Sequence, residues 1–182
     1  GQETRDASRG LASLFAYNGI ACLIFDKRGV GRSEGEHWAA SFSDYANDLL
    51  AAVQLLKTLP EINKDKIGMY GHSQGGWTVP LAISKAPAEI AFAVLSAANV
   101  VSPLDQHMYN GRRNMRLRGI DTAVITEVEA FRRAKYAASL GVISNEKYYK
   151  EILPAAQQID WLSKQNLTNE ELGVDQFFEY NC

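Results

Sequence analysis

Gly71-His72-Ser73-Gln74-Gly75 sets a serine between two glycines, and it is the stretch of this sequence best suited to chemistry. An apolar run, Ile67 to Tyr70, precedes it, and a segment with helical character, Gln74 to Ser84, follows. Where a strand turns sharply into a helix, the positions two before and two after the turning residue must be small for the elements to approach, and Gly71 and Gly75 fill both places. Such a turn lifts the Ser73 hydroxyl out at the head of the helix, where it can attack a carbonyl carbon. The backbone N–H of Gln74 can then donate to the oxyanion that forms. The plain alternative is a glycine-rich turn with an incidental serine. The sequence argues against a phosphate-binding loop: Gly71, Gly76 and Thr78 fit its spacing, but Trp77 stands where a lysine must reach the phosphates.

A second glycine-rich segment runs from Lys27 to Gly35, after the apolar residues Ile20 to Phe25. Gly29 and Gly31 suggest a dinucleotide fingerprint, yet the third glycine is Gly35 rather than residue 34, and no acidic residue closes the following strand at the required distance. The segment reads instead as a structural loop. Its glycines permit backbone turns, and Asp26 and Arg28 can brace it by charge-assisted hydrogen bonds, with a substrate contact from Lys27 or Arg28 as the lesser alternative.

The elements that must position these residues can be read from periodicity. Ala7, Leu11, Leu14 and Phe15 mark an amphipathic helix stopped by Asn18-Gly19. Ile20 to Phe25 is continuously apolar, as in a parallel strand covered on both faces, and Cys22 within it reads as a small buried hydrophobe. Ser43 is the expected N-cap of a helix with Tyr45, Leu49, Val53 and Leu56 on one face, and Pro60 ends it. Ile67 to Tyr70 and Ile90 to Leu95 are further buried strands, and Pro80 is expected to kink the helix between them. Alternating strands and helices argue for an α/β doubly wound parallel sheet over residues 1–101. From Ser102 onward only helices are visible: one with Val124, Val128 and Phe131 on a face, one capped by Ser144, and one begun by Thr168 and Glu171. Residues 102–182 therefore read as a helical cap or lid segment, or as helices on the flank of the sheet.

With 182 residues, 46% hydrophobic and 22% charged, the chain can build a real core. A formal net charge of −2 argues against nucleic-acid binding, and the basic cluster Arg112 to Arg118 is short enough to be a solvated face. The longest apolar stretch, Ile90 to Val101, is too short to span a bilayer. Two cysteines outside any Cys-x-x-Cys arrangement give no disulfide framework, metal site or redox motif. Asn166-Leu167-Thr168 matches a glycosylation sequon, a triplet common by chance. Neither compartment nor oligomeric state can be read.

Taken in order, Gly-Ile-Ala-Cys-Leu-Ile-Phe-Asp-Lys-Arg-Gly-Val-Gly-Arg-Ser, a helix, and Ile-Gly-Met-Tyr-Gly-His-Ser-Gln-Gly-Gly resemble the α/β-hydrolase superfamily, in particular its bacterial esterase and serine-aminopeptidase-like members. The resemblance covers roughly residues 1–101. It implies that Ser73 attacks an ester, thioester or amide carbonyl of a small molecule, with no metal and no cofactor, and that Gln74 N–H serves the oxyanion hole. It places the second oxyanion donor at or before Gly1. The triad acid and histidine are expected beyond Cys182, because His37 precedes the nucleophile, His72 lies inside the elbow, and Asp105 with His107 read as surface loop residues. The other readings are an acyltransferase or thioesterase, a peptidase of the same fold, and a non-catalytic binding module. Tyr148, Tyr149, Trp161, Phe177 and Phe178 are candidates for an acyl pocket, with packing between helices as their commoner fate.

Overall fold

The computed structural model describes residues 2–37, 39–152 and 154–155. They fall into two compact units divided between Ala98 and Asn99. In the first, α1 (Gln2–Tyr17), α2 (Phe42–Thr58) and α3 (Gly75–Lys85) accompany β1 (Gly68–His72) and β2 (Phe92–Ser96). The second is helical: α4 (Pro103–Leu117), α5 (Thr122–Ser139), and the short α6 (Asn145–Lys147) running into a π-helical turn, Tyr148–Ile152.

α1 stops where Gly19 adopts φ 77°, and the Ile20 N–H returns to the Phe15 carbonyl at 3.0 Å. This is the glycine-terminated helix end that Asn18-Gly19 announces. α2 starts two residues earlier than expected. Ser41, not Ser43, is the N-cap: its hydroxyl accepts from Asp44 N–H at 3.1 Å while the Asp44 carboxylate accepts from Ser41 N–H at 2.9 Å. Ser43 cannot close this reciprocal pair because its partner three residues on is Ala46, which has no acceptor. Hydrogen bonds from Ser41 hold the Asp44 carboxyl below the usual carboxylate range.

β1 and β2 pair in parallel, Gly68 opposite Phe92 and His72 opposite Ser96, with α3 as the crossover. Met69 joins Ala46 and Val53 of α2 and Val79 and Ala82 of α3 in one buried cluster. Its neighbour Tyr70 points the other way, as strand periodicity demands, and meets Phe15 of α1 edge-on at 6.4 Å. Helices thus contact both faces of β1. Pro80 lies inside α3 without ending it.

Two strand expectations need correction. Residues 20–25 have no ladder partner among the described residues, and Ile20, Leu23, Ile24 and Phe25 stand 39–49% exposed. An apolar run becomes a strand only when a neighbour takes up its N–H and C=O groups, and among the described residues the sheet consists of β1 and β2. Cys22 is accordingly exposed, not buried. β2 itself is half-exposed along Phe92 to Leu95, where full burial was expected, because the described helices pack over β1.

In the second unit Ser102 caps α4 through Asp105, and Asp121 caps α5. Met115, Ile125, Val128, Phe131, Ala138 and Tyr148 form its closed core. Tyr148 therefore packs as a core residue, in line with the packing alternative, whereas Tyr149 is exposed and lies outside that core. Of the basic cluster, Arg112 pairs with Glu129 of α5 through Nε at 2.5 Å and NH2 at 2.9 Å. Trp161, Phe177, Phe178, the Thr168–Glu171 box and the Asn166 sequon lie outside the described residues.

Candidate active site

Ser73 follows β1 directly and precedes α3 by one residue. Its φ of 53° places it in the left-handed region, which costs a residue with a Cβ about 1–2 kcal/mol. The surroundings hold it there. Ser73 N–H donates to the Ser96 carbonyl at 3.1 Å, and its own carbonyl accepts from Gly76 N–H at 2.8 Å. Ser73 is solvent-exposed at this bend. Ser96 precedes Ala97, which has φ 47°, so two paired strands end in the same left-handed step.

The two flanking glycines differ. A Cβ on Gly71 would meet the Gly75 carbonyl oxygen at 2.7 Å, its carbon at 2.9 Å and Leu95 Cδ2 at 3.0 Å. Backbone cannot retreat as a side chain can, so position 71 is where strand and helix press together. A Cβ on Gly75 would meet nothing within 4 Å. The size requirement expected at both positions therefore falls on Gly71 alone.

Gln74 is the N-cap of α3 in αR conformation, and no backbone carbonyl among the described residues accepts from its N–H. That N–H sits at the positive end of the helix, where backbone donors favour negative charge. The Gln74 side chain is taken up by Lys27, whose Nζ donates to Oε1 at 2.5 Å and stands 5.5 Å from the centre of the Tyr45 ring. Partial shielding of the ammonium from water lowers the Lys27 pKa. Sequence reasoning weighed Lys27 as a substrate contact but had no signal for this bond, which joins residues 47 positions apart.

The loop carrying Lys27 is braced as the charges of Asp26 and Arg28 suggest. Arg28 forks onto Asp48 of α2, Nε to Oδ2 at 2.8 Å and NH2 to Oδ1 at 2.6 Å. The Asp26 carboxylate accepts from Arg32 N–H at 3.3 Å, Ser33 Oγ donates to the Asp26 backbone carbonyl at 2.6 Å, and Gly29, with φ 68°, donates to Glu34 O at 3.0 Å.

The histidines lie apart in function. His37 Nδ1 is 3.0 Å from Tyr45 Oη. His72 is exposed on β1. In the second unit His107 Nε2 lies 2.9 Å from Arg132 NH2, and burial, with Arg132 and Lys135 nearby, lowers its pKa to about 4. It is a neutral imidazole accepting from a guanidinium. Asp105 Oδ2 accepts from Ser102 Oγ at 2.7 Å as part of the α4 cap. No hydrogen bond between them is seen, and both lie in α4 rather than in a loop, Asp105 exposed as expected and His107 half-buried.

Among the described residues no helix is long and apolar enough to cross a membrane, and no group of three or more His, Cys, Asp or Glu is placed to hold a metal ion. No solved structure matches the chain. A polyketide transferase, grgF of Penicillium sp, is 34% identical over 88 residues, which are 48% of this chain and 30% of that protein. The chain therefore matches less than a third of the length of this curated relative. The family model described as serine aminopeptidase, S33, matches residues 2–177. With a match over nearly its whole length, the chain belongs to this family of α/β-hydrolases.

Proposed function

We propose that the protein is a serine hydrolase that cleaves an ester, thioester or amide of a small molecule through an acyl-enzyme, with Ser73 as nucleophile. One observation carries the reading: an exposed serine held at φ 53° between β1 and α3. The residue keeps this conformation against its own preference because flanking hydrogen bonds fix it, and strain retained at a bend that presents a hydroxyl is the mark of a functional site. Ser73 Oγ bonds to the carbonyl carbon as its proton passes to a general base, and the carbonyl oxygen takes the negative charge. Gln74 N–H meets that charge. Collapse expels the leaving group, and water then releases the acid and regenerates the hydroxyl.

The test is a fluorophosphonate probe on the full-length protein, with the modified residue identified by mass spectrometry. Labelling at Ser73 is expected, with loss of labelling and at least about a thousandfold loss of ester turnover in Ser73→Ala. Turnover undiminished in that variant would overturn the reading.

A second reading, transfer of the acyl group to an alcohol or amine instead of water, is favoured by the likeness to a polyketide transferase. It shares every step up to the acyl-enzyme. Product analysis with and without an added alcohol or amine separates the two.

A further inference from the structure

Lys27 holds a position that the hydrolytic mechanism leaves unused. Its ammonium is anchored to the residue after the nucleophile: it donates to Gln74 Oε1, and Gln74 directly follows Ser73. The cation therefore lies no further from the Gln74 amide than the length of one glutamine side chain plus one hydrogen bond. Around it are a neutral amide and the Tyr45 ring, whose hydroxyl is engaged with His37. Among the described residues no carboxylate lies within ion-pair distance of Lys27.

In the same unit Arg28 has Asp48 and Asp44 and Lys57 has Glu89, whereas Lys27, like Lys85 on Ser43 and Asn47, donates to neutral groups. A lysine needed only to brace a loop gains most from a carboxylate, since charge-assisted pairs are roughly twice as strong as bonds to neutral groups. Here the bracing is already done by Arg28 and Ser33. The Lys27 ammonium retains two further N–H donors and an accessible side chain.

Resting on Ser73 as nucleophile, we propose that Lys27 is a specificity-determining residue that selects substrates carrying a carboxylate close to the scissile carbonyl. The carboxylate replaces water on the two remaining ammonium donors while Gln74 keeps the third. Loss of hydration, which lowers the lysine pKa, makes an anionic partner worth more at this position than at a fully solvated one. Such a group can belong to the acyl part or to the leaving group, and the stated chemistry is the same for both.

Three esters distinguish them in the full-length protein: phenyl pentanoate as neutral reference, the monophenyl ester of glutaric acid with its carboxylate on the acyl side, and carboxyphenyl pentanoate with its carboxylate on the leaving group. The readout is the ratio of kcat/KM for each anionic ester over the neutral one. The wild-type ratio is expected to be raised for one of the two, and to shrink with added salt. In Lys27→Met it falls about tenfold, and in Lys27→Arg most of it returns. A ratio unchanged in Lys27→Met, with all rates falling together, overturns the proposal and leaves Lys27 as a residue that merely positions Gln74. Loss of turnover in Ser73→Ala alongside that result would show that only the Lys27 assignment has failed. Turnover undiminished in Ser73→Ala removes the nucleophile reading and this proposal with it.

Discussion

After Asn99 the helices close their own core, with Met115 and Val128 at 0% exposure, whereas before Ala98 the strand β2 leaves Phe92, Val94 and Leu95 at 43–52%. The difference follows from where backbone hydrogen bonds come from. A helix satisfies its own and needs neighbours only for its apolar stripe, which α4 and α5 supply to each other. A strand needs partners distant in sequence for its backbone and for both faces of its side chains. The helical unit accordingly closes a core of its own, while the unit with the sheet carries the left-handed serine and the Gln74 amide.

Large-to-small substitutions give the sharpest test. Met115→Ala should cost about 2–5 kcal/mol, since it empties a fully buried site. Phe92→Ala, at a half-exposed position, should cost markedly less, and chemical denaturation of both variants measures the gap. Equal losses would mean that β2 is covered in solution, and the contrast would fail.

The next effect is local to the elbow. Gly71→Ala drives a Cβ into the Gly75 backbone and should cost about 1–3 kcal/mol together with most of the activity. Gly75→Ala enters open space in the first turn of α3 and should leave stability unchanged or slightly improved. Thermal unfolding decides between them.

The smallest effect belongs to His107. Its pKa is lowered to about 4 from 6.5, so the unfolded chain binds the proton more readily than the folded one. The stabilisation is complete above about pH 6.5 and is lost as the pH falls toward 4. Exposure of part of the ring and solvent screening keep the magnitude modest. In His107→Gln, where the amide oxygen can still accept from Arg132, the decline in melting temperature between pH 7 and pH 5 should flatten. An unchanged slope would place the titrating group elsewhere.

Much of this was legible in the residues themselves, and the failures share a cause. Gly-x-Ser-x-Gly announced a bend at Ser73, and Asn18-Gly19 announced the end of α1, because left-handed and sharply turned backbone leaves a local signature in glycine. Ile20 to Phe25 looked like a covered strand, yet composition cannot say whether a neighbour is present to form its ladder. The Ser41 cap was overlooked for Ser43 because both are serines near the same boundary, and only the partner three residues on distinguishes them. The Lys27–Gln74 bond and the burial of Arg132 beside His107 depend on chain crossings that no single segment encodes.

The matched left-handed ends of β1 and β2 have a consequence for anyone diversifying this protein. At 73 and 97 a randomised library would be filtered first by backbone shape, admitting glycine, asparagine and aspartate and discarding branched residues such as valine before any selection for activity began. Glycine at 97 is a free gain in that contest. At 73 the same gain removes the proposed nucleophile, so on that proposal screens for durability alone would drift toward inert winners there.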